Sequence, residues 1–381
     1  MRNFASAAPA PHARSRRPPR DAIIALRQTG GGRRAVAALI VAVVLAVAAG
    51  LLASEIASQR LLDEARTKLE EKADRLATEV TGRTRYSPAM GGAMLRGLDE
   101  PAFKHAVGSH ALKSHEAEAI RLKLRPMRKL FGADGTFLVS GKGEIVVQDT
   151  DGRNTVGTNV AFRPYFQQSM AGKPGVYAAV GNNSGDRGLY YTAPVHADET
   201  LASKVIGVIV VKLLGDPLDD MLRATGGTAI LLSPQGVVFA STENDWLYRL
   251  TPPASPERIA EIRALKQFGK RFEEGTAQTL PFSPDAEQLE FAGAGYLAAR
   301  RNIDWQDPGG DWRIVVLADI ATIVPPALRW SVGGSAGLIV LLLAGGSLLA
   351  WRGRRNHQEV INRYRMLGTA LEEAPVGVMI T

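Results

Sequence analysis

The sequence predicts an α+β fold, in which two antiparallel-sheet lobes on a long N-terminal helix lie between two membrane-spanning helices. Three observations lead to this prediction. Two apolar runs, residues 35–54 and 330–351, contain no charged residue. A stretch poor in Gly and Pro follows the first run, as expected for a helix. A hairpin-like pattern then occurs twice between the two runs.

Composition excludes several classes of function. The chain of 381 residues contains no Cys, which rules out disulfides, Cys-ligated zinc and thiol nucleophiles. The net charge is +8, but residues 55–329 carry 33 Lys and Arg against 34 Asp and Glu. A protein that binds nucleic acid would concentrate its cations on the folded domain. We therefore expect no nucleic-acid partner.

The sequence predicts no metal site, no cofactor and no catalytic residue. His105, His110 and His115 are spaced by five, which puts successive side chains ~140° apart on a helix, so they cannot share a face. Outside the apolar run 330–351 the chain has no Gly-x-Ser-x-Gly motif of a nucleophile elbow, and it contains no His-Glu-x-x-His motif. Three acids, Asp216, Asp219 and Asp220, suit a helix N-terminus. Whether the whole protein is an enzyme stays open.

The N-terminal region combines a basic tail with an apolar run. Residues 1–34 are rich in Ala, Pro, Arg and Gly without an apolar period, which predicts a disordered cytoplasmic tail. Residues 35–54 would form a helix ~30 Å long, enough to cross a bilayer. The run is longer than the ~7–15 apolar residues of a signal peptide, so we expect a retained anchor.

A second span is predicted at residues 330–351. Trp330 and Trp351 lie at its two edges, where the headgroups of a bilayer would be, and three arginines follow within four residues. Basic flanks favour the cytoplasmic side of a membrane. This topology places residues 55–329 outside the cytoplasm and a linker helix, residues 352–371, inside.

Residues 55–85 are predicted to form a helix that continues from the first span. Its apolar positions follow an a/d-like spacing: Leu62, Leu69, Ala73, Leu76 and Val80. Two interpretations remain open. The helix could pack on its own domain, or it could be the stalk of a homodimer.

An internal repeat organises the segment between the spans. Gly135–Thr150 and Gly227–Thr242, 92 residues apart, both read Gly-Thr, apolar strand, Gly-containing turn, apolar strand and Thr. Further strands are predicted at Val176–Val180, Leu189–Val195 and Val205–Leu213 after the first copy, and at Glu290–Arg300 and Trp312–Ala318 after the second. These patterns predict two α+β lobes, at about residues 86–214 and 215–320.

The candidate site lies in residues 161–212. Arg163 opens an Arg-Pro-Tyr-Phe segment, residues 181–188 form a polar turn with three Gly, and Lys212 ends an apolar strand. Two cations and the donors of the turn could converge on one anion, which predicts a pocket for a small carboxylate. Three structural alternatives remain open: an ion pair of Arg163 with Asp149 or Asp151, a solvated Lys212, and an ion pair of Arg187 with Asp186.

This stretch resembles the double-Cache (tandem PAS-like) sensors of bacterial receptors, and within them the four-carbon dicarboxylate sensor histidine kinases. The resemblance implies that the membrane-distal lobe binds the ligand and the membrane-proximal lobe usually does not. It implies the following ligand-binding residues: Arg163, Asn182, Asn183, Ser184 and Lys212, with Tyr165 and Tyr190 as walls. The family commonly has two Thr in the turn, where this chain has Asn182-Asn183.

The resemblance also implies a function. Residues 372–381 look like the opening of a cytoplasmic PAS domain that is cut off within its first strand. The chain would then be the sensory part of a histidine kinase in the bacterial inner membrane, with a periplasmic sensor, a homodimeric stalk and a response regulator as partner. The alternatives are the sensor of a diguanylate cyclase and a membrane-tethered scaffold or enzyme.

Overall fold

The computed structural model describes residues 21–372, except 86, 110–111, 182–184 and 274–276. The described elements belong to two units, one of which is Arg60–Pro325 and the other is formed by the helices on either side of it. Residues 373–381, where the start of a PAS domain is predicted, lie outside the described residues. So do Asn182, Asn183 and Ser184 of the predicted turn.

The first helix, α1 (Asp21–Thr84), runs without interruption through the predicted span and the predicted stalk. It begins at Asp21, inside the segment for which the sequence predicts a disordered tail. Residues 21–27 contain good helix formers, and extending the helix of the apolar run backwards costs less than nucleating a new one. Gly30, Gly31 and Gly32, which lie between the two stretches, oppose this extension.

In its described residues the first lobe has four helices and a five-stranded antiparallel sheet. Its elements are α2 (Pro88–Asp99), α3 (Pro101–Gly108), α4 (Ser114–Phe131), β1 (Gly135–Ser140), β2 (Ile145–Thr150), α5 (Pro164–Met170), β3 (Gly175–Val180), β4 (Arg187–His196) and β5 (Val205–Leu214). The strand order is β2-β1-β5-β4-β3. The central strand β5 therefore pairs with β1 on one side and with β4 on the other.

The second lobe repeats this topology. Its elements are α6 (Asp216–Arg223), β6 (Thr228–Leu232), β7 (Val238–Ser241), α7 (Pro256–Leu265), β8 (Gln288–Phe291), β9 (Ala294–Ile303), β10 (Trp312–Asp319) and α8 (Ile320–Ile323). The order β7-β6-β10-β9-β8 corresponds strand for strand to that of the first lobe. The predicted fold class and the predicted repeat are confirmed.

One predicted strand is instead a hairpin. The sequence predicts a single strand at Glu290–Arg300, but β8 ends at Phe291 and β9 begins at Ala294. Ala292 and Gly293, the two turn residues, both have positive φ, 52° and 76°. Positive φ at both turn residues matches the twist of the two strands of a two-residue hairpin. Asn, Asp or Gly is the usual residue at the first turn position, and Ala is not.

The apolar positions of α1 in the Arg60–Pro325 unit pack on the unit's own sheets. Leu69, Ala73, Leu76 and Val80 are buried in its largest hydrophobic cluster, and Leu62 packs against the cluster. The structure therefore supports the first of the two interpretations for this helix. A homodimer through α1 stays a prediction, and it would have to use the polar face of the helix.

The other unit contains residues up to 59 of α1 and the helix α9 (Pro326–Glu372). Each helix has a stretch long and apolar enough, by length and composition, to cross a membrane. Their backbones approach closely: a Cβ atom added at Gly50 would lie 2.6 Å from the carbonyl oxygen of Gly333. One added at Gly337 would lie 3.1 Å from that of Ala46. Small residues permit this approach.

Candidate ligand-binding site

A cavity of about 200 Å³ lies in the first lobe, and several of the predicted site residues line it. This volume holds several water molecules, and is smaller than the ~300–1,000 Å³ typical of sites for drug-sized ligands. The size is therefore suited to a small metabolite. Four of the seven predicted ligand-binding residues line the cavity: Arg163, Tyr165, Tyr190 and Lys212.

Strand alternation directs Lys212 to the cavity. Successive side chains of a strand point to opposite faces of the sheet. In β5, Ile209 and Val211 pack in the large cluster with the helices, whereas Val208 and Val210 pack in a separate cluster on the other face. Lys212, two residues after Val210, points to the same face of the sheet as Val208 and Val210. Val210 lines the cavity with it.

Arg163 is positioned by the start of α5. It is the N-cap of that helix, with φ −73° and ψ 131°, and Pro164 follows at the first helical position. A residue before proline favours this extended conformation, and proline is well suited to the first turn. The Arg-Pro sequence therefore fixes the backbone conformation from which the Arg163 side chain extends.

The guanidinium of Arg163 is buried, and its described partner is neutral. The residue is 5% exposed, and its Nη1 donates a hydrogen bond to the carbonyl oxygen of Lys266 at 2.7 Å. Within the described parts of the chain Arg163 forms no ion pair, since Asp149 pairs with Arg125 and Arg128 and Asp151 pairs with Arg128. The alternative of an ion pair with either aspartate is wrong.

Lys212 is paired with an acid that is not among the predicted site residues. Its Nζ lies 2.6 Å from Oδ2 of Asp134, and the lysine is 5% exposed. The alternative of a solvated lysine is therefore wrong. Asp134 directly precedes Gly135, which lies opposite Lys212 in the pairing of β1 with β5. Sequence alone cannot give this register, and so it could not bring Asp134 to the site.

Two tyrosines form an aromatic wall. The rings of Tyr165 and Tyr190 are stacked, with centroids 5.5 Å apart and an angle of 6° between their planes. Burial raises the pKa of the Tyr190 phenol to about 12, and the charge of Arg163 opposes this shift. Burial raises the pKa of Tyr165 as well. Both phenols are therefore neutral hydrogen-bond donors at physiological pH.

The structure describes only part of the predicted turn. Asn182, Asn183 and Ser184 lie outside the described residues, so their role stays a prediction. Gly181 and Asp186, on either side of them, line the cavity. Arg153 lines it too and was not predicted. Among the described lining residues there are thus three cations and two acids.

Arg187, in the same turn, connects the two lobes. Its Nη1 donates to Oδ1 of Asp219 at 3.0 Å and to the carbonyl oxygen of Phe239 in β7 at 2.7 Å. Asp219 lies in the first turn of α6, as the acid pattern predicts, and also accepts from the backbone N–H of Ser241. The acidic partners of Arg187 are therefore Asp219 and, at 3.5 Å, Asp216, and the alternative of an Arg187–Asp186 pair has no support in these contacts.

A second set of contacts between the two lobes lies next to the cavity. Gln267, just after α7, is buried and donates from Nε2 to the carbonyl oxygen of Ala178 at 2.8 Å. The backbone N–H of Val180 donates to the carbonyl oxygen of Gln267 at 2.8 Å. Together with the bond from Arg163 to Lys266, these contacts attach a segment of the second lobe to β3 and to the cavity.

Comparison with known proteins agrees with this architecture. No family model matches the chain. Over 223 residues it is 26% identical to the C4-dicarboxylate transport sensor protein DctB of Pseudomonas aeruginosa, and over 294 residues it is 25% identical to the protein of the same name from Rhizobium meliloti. These alignments cover 58% and 72% of this chain, but only 33% and 46% of the two relatives.

A solved structure shows the fold. The sensor domain of the Vibrio cholerae histidine kinase DctB matches with a TM-score of 0.57 and 24% identity, over 68% of this chain and 98% of the solved one. The chain resembles DctB-type sensors. The predicted resemblance to a double-lobed sensor of this type is thereby confirmed, and the chain spans between a third and half of the length of its DctB relatives.

Proposed function

We propose that the chain is the sensory part of a transmembrane receptor that binds a small carboxylate, in the first instance a dicarboxylate, in the cavity of the first lobe. The single observation that carries the proposal is Arg163, a buried guanidinium that lines the cavity and forms no ion pair within the described residues. A buried charge without a counter-ion is costly, so an anionic ligand would stabilise it.

The rest of the lining favours the same ligand class. Lys212 can hold a second acidic group, and the phenols of Tyr165 and Tyr190 can donate hydrogen bonds to carboxylate oxygens. The DctB relatives are named as sensors in C4-dicarboxylate transport. Their name supports a dicarboxylate as the first ligand to test, and Asn182, Asn183 and Ser184 as further ligand-binding residues.

The topology supports signalling across a membrane. We place residues 55–329 in the periplasm of a bacterium, between spans at 35–54 and 330–351 in the inner membrane, because the flanking basic residues favour the cytoplasm. Residues 352–371 would then connect the sensor to a cytoplasmic PAS domain and a histidine kinase. A response regulator would be the partner of that kinase, and the polar face of α1 the contact of a homodimer.

Binding would bias the receptor only if the ligand prefers one arrangement of the lobes. The bond from Arg163 to the carbonyl of Lys266 supports such coupling, because the group that would bind the ligand also contacts the second lobe. A diguanylate cyclase output is compatible with the same sensor. A scaffold would provide no anion for the buried charge of Arg163.

The test is a thermal melt of the full chain in detergent micelles with a panel of dicarboxylates, monocarboxylates and amino acids. A ligand at 100 times its dissociation constant should stabilise the protein by ~2.7 kcal/mol. We expect a small set of carboxylates to raise the melting temperature, and Arg163→Ala to abolish the rise. Arg121→Ala, which removes an exposed arginine paired with Glu118, is the matched control and should retain it.

Two results would contradict the proposed function. If no carboxylate changes the melting temperature of the folded chain, the proposed function fails and a scaffold becomes the better explanation. If Arg163→Ala is folded and still responds like the unaltered chain, the ligand binds elsewhere.

A further inference from the structure

Asp134 and Lys212 form a pair whose geometry is fixed by the sheet. The backbone N–H of Asp134 donates to the carbonyl oxygen of Lys212 at 2.8 Å, and Thr150 donates from Oγ1 to the carbonyl oxygen of Asp134 at 2.9 Å. These bonds hold the backbone of Asp134 beside β5. Its carboxylate then reaches the lysine ammonium at 2.6 Å.

The pair lies in the cavity and not behind it. Asp134, Lys212, Tyr190 and Arg163 all line the same space. The Asp134 side chain is 29% exposed, whereas that of Lys212 is 6% exposed, so the carboxylate is the more accessible member. A molecule that approaches Lys212 through the cavity therefore also meets Asp134.

This arrangement affects one class of ligand selectively. A monocarboxylate held by Arg163 has no second charge to place at Lys212. A dicarboxylate has a second charge. Its second carboxylate must either share the Lys212 ammonium with Asp134 or displace Asp134 from it. Juxtaposed like charges oppose binding, and they do so most where water is excluded.

We propose that Asp134 is a specificity-determining residue, an internal carboxylate that competes with the second carboxylate of the ligand for Lys212. The inference rests on the proposed function, since it assumes that the cavity binds carboxylates. Asp134 sets how strongly the site prefers dicarboxylates to monocarboxylates of the same length. Replacing it by a neutral residue should raise that preference.

The test measures two ligands against two proteins. Isothermal titration of the full chain in detergent micelles is carried out with succinate and with butyrate, which has the same carbon chain but one carboxylate. In Asp134→Asn the dissociation constant for succinate should fall by at least about tenfold, whereas that for butyrate should change by less than about threefold. The ratio of the two constants is the measured specificity.

A matched control separates local competition from general charge. Asp151 carries the same charge on an exposed side chain next to β2 and is not among the residues that line the cavity. Asp151→Asn should leave the succinate-to-butyrate ratio within about twofold of the original, because exposed charges are screened by salt. Asp134→Ser serves as a second neutral variant, with the melting temperature as the check on folding.

The outcomes distinguish the two proposals. If both ligands bind but the ratio is unchanged in folded Asp134→Asn and Asp134→Ser, or if succinate binds more weakly, Asp134 is structural and the inference is overturned. If no carboxylate binds to the unaltered chain, the proposed function fails and the inference fails with it.

Discussion

The two phenols of the cavity wall have a higher pKa than an ordinary tyrosine, because both are buried. Burial raises the pKa of Tyr190 to about 12, and it raises the pKa of Tyr165 as well. A neutral phenol can donate a hydrogen bond to an anion. The aromatic wall therefore offers both a surface and two polar groups to a carboxylate.

The first prediction concerns one of these donors. Tyr165→Phe keeps the ring stacked on Tyr190 but removes the phenolic hydroxyl. Because hydrogen bonds to charged groups contribute about 1.5–3 kcal/mol, the dissociation constant for a carboxylate ligand should rise by about tenfold or more. Titration calorimetry measures the change. Tyr177→Phe is the matched control, since this buried tyrosine does not line the cavity, and an equal loss there would argue against a direct contact.

The second prediction concerns pH. A tyrosine whose pKa is raised in the folded state stabilises the fold below its unfolded pKa of ~10, and this contribution is lost as pH rises through the folded value. The free energy of unfolding should therefore fall between pH 10 and 12. Urea titrations at several pH values measure it. In Tyr190→Phe the fall should be smaller, and an unchanged pH dependence would contradict the assignment.

Only some of the residues that line the cavity could be predicted from the sequence. The places of Arg163 and Tyr165 at the cavity were predicted from the resemblance carried by the Arg-Pro-Tyr-Phe segment, and that of Lys212 also from its position at the end of a strongly apolar strand. Asp134 and Arg153 could not be predicted. Their place at the cavity depends on strand register and on a loop path, and neither leaves a local sequence pattern.

Among the elements, the contact between α1 and α9 is made by small residues. Gly50 lies against Gly333, and Ala46 against Gly337, at backbone distance. In a bilayer, where helix association depends on close packing more than on the hydrophobic effect, such a contact is sensitive to any added side chain.

The third prediction tests this contact. The chain has no native Cys, so a disulfide between cysteines introduced at Ala46 and Gly337 reports the proximity of the helices. Adding Gly333→Leu should reduce cross-linking strongly, because the new side chain would collide with the backbone at Gly50. Gly345→Leu is the control on the same helix, since a Cβ there meets no atom within 4 Å, and equal loss from both variants would contradict the packing.

Prediction of the elements was good where their periodicity was strong and failed where it was interrupted. The strands β3, β4, β5 and β10 were predicted because their apolar runs are long and bounded by polar segments. The hairpin of β8 and β9 was read as one strand, since Ala292 gives no turn signal at a position with positive φ. Helix α1 was predicted too short, because composition alone does not include extension from a neighbouring helix.

At the scale of the Arg60–Pro325 unit, the two lobes are joined by a buried ion pair. Arg187 and Asp219 have side chains that are 9% and 4% exposed, and both also bond to the backbone of β7 or its end. Removing Arg187 would leave the buried carboxylate of Asp219 without a cationic partner. The pair therefore makes the integrity of each lobe depend on the other.

The fourth prediction follows from this dependence. Arg187→Ala should lower the free energy of unfolding by about 3–5 kcal/mol, as found when one partner of a buried pair is removed. Arg223→Ala, which breaks an exposed pair with Asp220, should cost only about 0–1 kcal/mol. Urea unfolding of both variants measures the difference. Similar losses in the two would show that the buried pair has no special role.

The attachment of Gln267 to β3 has a consequence for how the protein can be divided. β3 is the last strand of its sheet, and the backbone of Gln267 accepts a hydrogen bond from Val180 where a sixth strand would otherwise pair. A fragment that ends at Leu214 would expose this edge as a template for strands of other molecules. We expect such a fragment to aggregate when expressed alone, because the segment of the second lobe that covers this edge would be missing.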